Sequence, residues 1–201
     1  MLIGLGLGPG DPELLTLRAV RLLREADRVY VPGEIARRLV APYRDCQVLE
    51  FPMTGDEAWI RRCLEGHADR IAGEAETGLV VLALLGDPNF FSTFTRLCGL
   101  IRERHPRIPY ETVPGVSAIT AFASVAGISL SDGFAVSDGK ESPRSRIILK
   151  VTRPAELEAA LRKEGYTRFI LVERMYMEGM RVYCGELPET SHYLSVMYAS
   201  E

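Results

Sequence analysis

The chain has 201 residues, 47% of them hydrophobic, with 24 Lys and Arg against 27 Asp and Glu for a formal net charge of -3. That length supports one large or two small packed cores, and the mild acidity, with no basic run, leaves no electrostatic footprint for nucleic acid. Cys46, Cys63, Cys98 and Cys184 form no Cys-x-x-Cys pair and only three histidines accompany them, so no structural metal site is expected, and scattered thiols point to a reducing, cytoplasmic setting.

In chain order, residues 1–8 read as a strand rather than a secretory signal, because glycine breaks the apolar run and no basic segment precedes it. Leu14, Leu15, Leu17, Val20, Leu22 and Leu23 then recur at helical spacing. A second strand is expected over 27–33, a short helix over 35–43, a third strand over 46–53 and a long helix over 56–78. Residues 79–88 are apolar on both faces and predict the central strand of a covered parallel sheet; the run is too short to span a bilayer, so no membrane partner is expected. A helix over 91–105 and a strand over 108–115 complete a βαβαβαβ order. Beyond residue 115 come a small-residue helix (116–130), strands over 133–139 and 146–151, a helix over 154–165 entered at Pro154, and three strands over 168–175, 180–187 and 192–199. The expectation is an α/β protein of two domains, 1–113 with a mainly parallel sheet and 114–201 with a mixed sheet.

Residues 4–17 carry four alternating glycines, a pattern that gives up side-chain packing and costs conformational entropy. A dinucleotide fingerprint fails, because Asp11 or Pro9 occupies the place of its third glycine, and no Walker loop is present. A local reading accounts for part of the stretch: Asp11 caps a helix and Pro12 takes its first position. The remaining reading is a loop kept bare at the carboxyl edge of a parallel sheet, where ligands of such sheets bind. Gly86-Asp87-Pro88 after the central strand repeats the same grammar, and Pro114-Gly115-Val116-Ser117-Ala118 supplies a third strand end. Three loops are expected to converge on one crevice.

These segments together resemble the tetrapyrrole methylase family: Gly6-Leu7-Gly8-Pro9-Gly10-Asp11, Leu14-Leu15-Thr16-Leu17, Gly86-Asp87-Pro88, Pro114-Gly115-Val116-Ser117-Ala118, and residues 126–130 with Ser129 where the family has proline. The resemblance covers essentially the whole chain and is clearest over residues 1–130. It implies two α/β domains with S-adenosyl-L-methionine bent between them, a tetrapyrrole substrate, a homodimer and methyl transfer to carbon. By resemblance the cofactor-binding positions are Pro9, Leu85, Gly86, Asp87, Phe90, Ser117 and Ala118, with Lys150 and Tyr198 as looser matches. No catalytic residue is assigned.

Among family members, those that methylate uroporphyrinogen twice carry an acid and a lysine where this chain has Pro32 and Met53. Residues 26–32, 50–57 and 86–94 instead look like the branch acting at the C20 meso carbon of precorrin-2 or cobalt-factor II. A methylase of C11 or C17, or a protein that only binds the nucleotide or a corrinoid, are the alternatives. The chain is short for the C20 branch, with an abbreviated loop at 137–146. Asp56, Glu57 and Tyr30 are candidate proton handlers, whereas His67 and His105 read as surface residues. Arg37, Arg38, Arg144 and Arg146 are candidates for substrate carboxylates.

Overall fold

The computed structural model describes residues 1–51, 57–131, 133–136 and 144–201. By contact the chain divides into two compact units, Met1–Ser129 and Leu130–Glu201. This division falls later than the expected 113/114 and keeps the helix after the fifth strand with the strand it leaves.

In the first unit β1 (Leu2–Gly6), β2 (Arg28–Val31), β3 (Gln47–Val48), β4 (Val80–Leu84) and β5 (Tyr110–Val113) form a sheet in the order β3-β2-β4-β1-β5, every pair parallel. β4 stands in the middle, as an apolar run buried on both faces requires. Alternation splits the side chains between two cores. Leu2, Val80, Leu82 and Leu84 pack with α3 (Glu57–Ala75) and α4 (Thr93–Arg104) through Ala68, Ile71, Ala72, Leu97 and Ile101. Ile3, Leu5, Val81 and Ala83 pack with α1 (Leu17–Glu25) and α2 (Glu34–Val40) through Ala19, Leu22, Leu23, Leu39 and Val40. Gly4 opens space on the first of these faces: a β-carbon built there lies 2.8 Å or less from the buried Phe94 ring.

Several boundaries differ from the expected ones for local reasons. Asp11 caps only one 3-10 turn, Pro12–Leu14, by accepting from Glu13 N at 2.9 Å. The α-helix begins later, where Thr16 Oγ1 accepts from Ala19 N at 3.0 Å, so Leu17 is 90% exposed rather than part of the apolar stripe. β3 is two residues long instead of eight and lies at the sheet edge. Of the expected strand over 133–139, residues 133–136 form no regular element and the rest lie outside the described residues.

The second unit pairs β6 (Ser145–Leu149), β7 (Arg168–Glu173), β8 (Arg181–Cys184) and β9 (Ser195–Ser200) in the order β6-β9-β7-β8. All three pairings are antiparallel, where a mixed sheet was expected. The cause is a split crossover. β6, α6 (Pro154–Lys163) and β7 form a βαβ unit whose strands point the same way, but β9 inserts between them and pairs antiparallel with both. Leu161 of α6 joins Phe169, Leu171, Met197 and Ala199 in the core of this unit.

Candidate active site at the carboxyl edge of the first sheet

Parallel strands deliver their carboxyl ends to one edge, and the order β4-β1-β5 sets three of the connecting loops side by side. Leu7 N donates to Leu84 O at 2.8 Å, prolonging the β1–β4 ladder past the strand ends. Gly86 N then donates to Gly8 O at 2.7 Å and Gly8 N to Gly86 O at 3.3 Å, in an antiparallel bridge between the two loops. Both glycines are left-handed, at φ +75° and +71°, a conformation that side chains on L-residues disfavour. The third loop is tied by Asp87, whose Oδ2 accepts from Gly115 N at 3.2 Å while Oδ1 accepts from Asn89 N at 2.8 Å and Asn89 Nδ2 at 3.1 Å. Gly6 and Gly115 permit the approach. A β-carbon on Gly6 would lie 2.7 Å from Gly86 O and crowd Gly115 N, and one on Gly115 would lie 2.8 Å from the Gly6 carbonyl carbon.

The three loops therefore converge, and part of the glycine richness serves their mutual packing. What stays reachable is narrower. A β-carbon on Gly86 or Gly10 meets nothing within 4 Å. Leu85 and Phe90 beside Gly86 are 41% and 44% exposed. Pro9 is exposed on the first loop. Asp87 is 7% exposed; its three donors leave one of about four carboxylate acceptor sites. Ser117 is the N-cap of α5 (Ala118–Ala126), its Oγ accepting from Ile119 N at 3.3 Å, and Ala118 opens that helix. Lys150 and Tyr198 belong to the second unit. Lys150 follows β6 at φ +58° with its ammonium 5.7 Å from the Tyr193 ring centre. The Tyr198 phenol lies 3.1 Å from Ser145 Oγ, and hydrogen bonds with Ser145 and Ser200 hold it below its ordinary pKa.

The remaining candidates have other work. Tyr30 is fully buried and donates to Glu74 Oε2 at 2.6 Å; burial first, and Glu74 second, push its phenol up to about 12, which removes it as a proton handler. Asp56 and Met53 lie outside the described residues, as does the Glu57 side chain. His67 Nε2 lies 2.9 Å from Glu50 O on α3, and His105 Nε2 lies 2.7 Å from Asp69 Oδ1 at the end of α4, so neither stands among the three loops. Arg37 and Arg38 pair with Glu34, and Arg146 pairs with Glu164 at 2.9 Å beneath its stack on Tyr166. The sequence reading did not name Gly6, Gly8 and Gly115 as site residues; their signal was present as glycine at each strand end, without the pairing that joins them. No group of three His, Cys, Asp or Glu among the described residues is placed to hold a metal ion.

The fold and its glycine edge define the class. The chain belongs to the tetrapyrrole (corrin/porphyrin) methylase family, whose sequence model matches residues 1–190. It is accordingly a methyltransferase. Within that class it is 29% identical to the probable cobalt-precorrin-2 C(20)-methyltransferase of Methanocaldococcus jannaschii, over 92% of this chain and 87% of the relative. It is 31% identical to the precorrin-2 C(20)-methyltransferase of a Sinorhizobium species, over 66% of this chain and 60% of the relative. Among solved structures, uroporphyrin III C-methyl transferase from Thermus thermophilus in its native form matches with a TM-score of 0.50 and 26% identity, covering 100% of this chain and 98% of the other.

Proposed function

We infer that this protein transfers the methyl group of S-adenosyl-L-methionine to C20 of precorrin-2 or of its cobalt form, in the synthesis of a corrin. The observation that carries the reading is the three-loop junction with main chain open at Gly86 and a buried carboxylate with one acceptor site to spare. Those residues fit a nucleotide with an amino-acid arm. Main-chain groups of Leu85–Asp87 can take the adenine and ribose without side chains intervening, and the free site on Asp87 can accept from an ammonium or hydroxyl. Phe90, Pro9, Ser117 and Ala118 belong to the same loops, and Lys150 and Tyr198 are proposed as further cofactor-binding residues on the family resemblance. Bound there, the cofactor supplies an electrophilic methyl on a sulfonium. The chain's own part is to hold an electron-rich carbon in line and exclude water, which is worth several powers of ten without any further group. The likeness of residues 26–32, 50–57 and 86–94 to the C20 branch, and the two relatives named for that carbon, support the position.

The protein is further proposed to act in the cytoplasm as a homodimer. No helix among the described residues is long and apolar enough to cross a membrane. Phe122 and Val125 are 64% and 89% exposed on α5, a surface suited to a second copy.

The test is incubation with methyl-labelled S-adenosylmethionine and either precorrin-2 or cobalt-factor II, followed by NMR of the product. One new methyl at C20 is expected. A methyl at C11 or C17, or nucleotide binding with no transfer to either substrate, overturns the assignment.

A further inference from the structure

The loop after β4 contains a choice that neither the fold nor the glycine junction explains. Phe91 has φ +49°, and among the described residues of Met1–Ser129 it is the one non-glycine residue in the left-handed region. Its ring is 71% exposed, more than that of Phe90. The backbone there is fixed from both sides. Asp87 binds the Asn89 backbone and side chain, Phe90 N donates to Asp87 O at 3.4 Å, and Ser92 Oγ accepts from Phe94 N at 3.1 Å as the N-cap of α4. A turn pinned between an aspartate and a helix cap forces residue 91 into a conformation where glycine is at ease and a bulky side chain is not. An aromatic ring in water is a second unfavourable choice at the same position. Strain of this kind persists where the side chain is needed in the orientation it imposes.

We propose that Phe91 is a substrate-binding residue whose ring lies against the face of the tetrapyrrole, and that its left-handed backbone exists to aim it. This rests on the functional reading above. The nucleotide is served by main chain at Gly86; the ring stands five residues further along, clear of the surface. A broad, flat, apolar ligand face is what such a ring recognises, by offset stacking and burial. A macrocycle presents that face, while its carboxylates lie at the rim.

The experiment measures steady-state kinetics and S-adenosylhomocysteine calorimetry on the whole protein and on Phe91→Ala, Phe91→Gly and Phe91→Tyr. Alanine keeps the backbone strain and removes the ring. Glycine removes both, so this variant is expected to melt at or above the wild-type temperature. Both are expected to raise KM for the tetrapyrrole about tenfold, a loss of about 1.4 kcal/mol, while KM for S-adenosylmethionine and the calorimetric Kd stay within about twofold. Tyrosine retains the ring and stays near the wild-type values. Unchanged tetrapyrrole KM in the alanine and glycine variants overturns the proposal. So does a Kd for S-adenosylhomocysteine that weakens in step, which assigns the ring to the nucleotide; so does a glycine variant that melts well below the wild type, which assigns the ring to packing; and so does a glycine variant less stable than the alanine one, which removes the backbone strain. If the wild-type protein methylates no tetrapyrrole, the functional reading itself fails, and that is seen before any variant is compared.

Discussion

Replacing Gly6 by alanine tests the loop junction directly. The added carbon would sit 2.7 Å from Gly86 O, where ordinary contact begins at 3.4 Å, and would also press on Gly115. Both neighbours are main chain, with no rotamer into which to retreat. Relief therefore requires the β4 loop to withdraw by about 0.7 Å and the β5 loop by more, which stretches the Gly8–Gly86 bridge and the Gly115–Asp87 bond. Overpacking costs about 1–3 kcal/mol and each weakened hydrogen bond up to about 1 kcal/mol, so the variant is expected to lose about 2–4 kcal/mol. Trp59 is the single tryptophan and lies on α3 of the first unit, so its emission in a urea titration reports the unit concerned. At a slope of about 1–3 kcal/mol/M, the midpoint falls by about 1 M or more. Calorimetry with S-adenosylhomocysteine should show at least about a tenfold loss, about 1.4 kcal/mol. Gly66→Ala is the control of opposite sign: a β-carbon there meets nothing within 4 Å in the middle of α3, and alanine gains up to about 1 kcal/mol in a helix. A Gly6→Ala protein within about 0.5 kcal/mol of wild type, with nucleotide affinity intact, would refute the reading of a tight junction, since that is the range of neutral surface changes.

Asp87→Asn keeps the shape but cannot accept on both arms, so the Gly115 or the Asn89 donor is left unpaired; a loss of about 1–3 kcal/mol in urea is expected, with weaker nucleotide binding by calorimetry. Asp69 accepts from Arg104 at 2.7 Å and lies beside His105, and Arg104 first, then His105, hold its carboxyl well below the usual range. A depressed folded pKa means that its contribution is complete above about pH 4 and is lost as pH falls, so Asp69→Asn should flatten the fall in stability below pH 4 in acid titrations of the melting temperature. Tyr30→Phe removes a buried hydrogen bond and should cost about 1 kcal/mol while leaving the methyl-transfer rate at neutral pH unchanged. The Tyr30 phenol is raised to about 12 when folded, so its contribution is full below about pH 10 and fades as pH climbs through the folded value; the variant should lack that alkaline limb.

The layered fold was legible because its signals are local. Continuous apolar runs marked β1 and β4 as doubly covered, and every helix of the first unit was expected within a few residues of where it forms. The errors came from forces a linear pattern does not carry. Thr16, not Asp11, starts α1, because the chain spends one 3-10 turn in reorienting first. β9 splits the β6–β7 pair, and nothing in those strands names their neighbour. In the site, the three loops were readable from the glycine motifs at the strand ends, whereas the hydroxyl caps Thr16, Ser92 and Ser117 that start three of the helices were not named. Asp87 was read as a ligand acceptor. Its grip on Gly115, which spans two loops 28 residues apart, required coordinates.

That division of labour changes what the glycine-rich stretch says about binding. Gly4 makes room for the Phe94 ring, Gly6 and Gly115 make room for each other, and Gly8 pairs in a left-handed turn with Gly86. Four of these five glycines are thus explained by packing and backbone conformation before any ligand is considered. Gly86 alone among the five combines a left-handed turn with open space beyond it. On the proposed function, nucleotide recognition at this edge would rest on main chain at Leu85–Asp87, with Gly10 the other open glycine, held in place by the others. It follows that substitutions at Gly6 or Gly115 should weaken nucleotide binding and stability together, by displacing that segment. A β-carbon at Gly86 should reduce binding by more than its effect on stability accounts for.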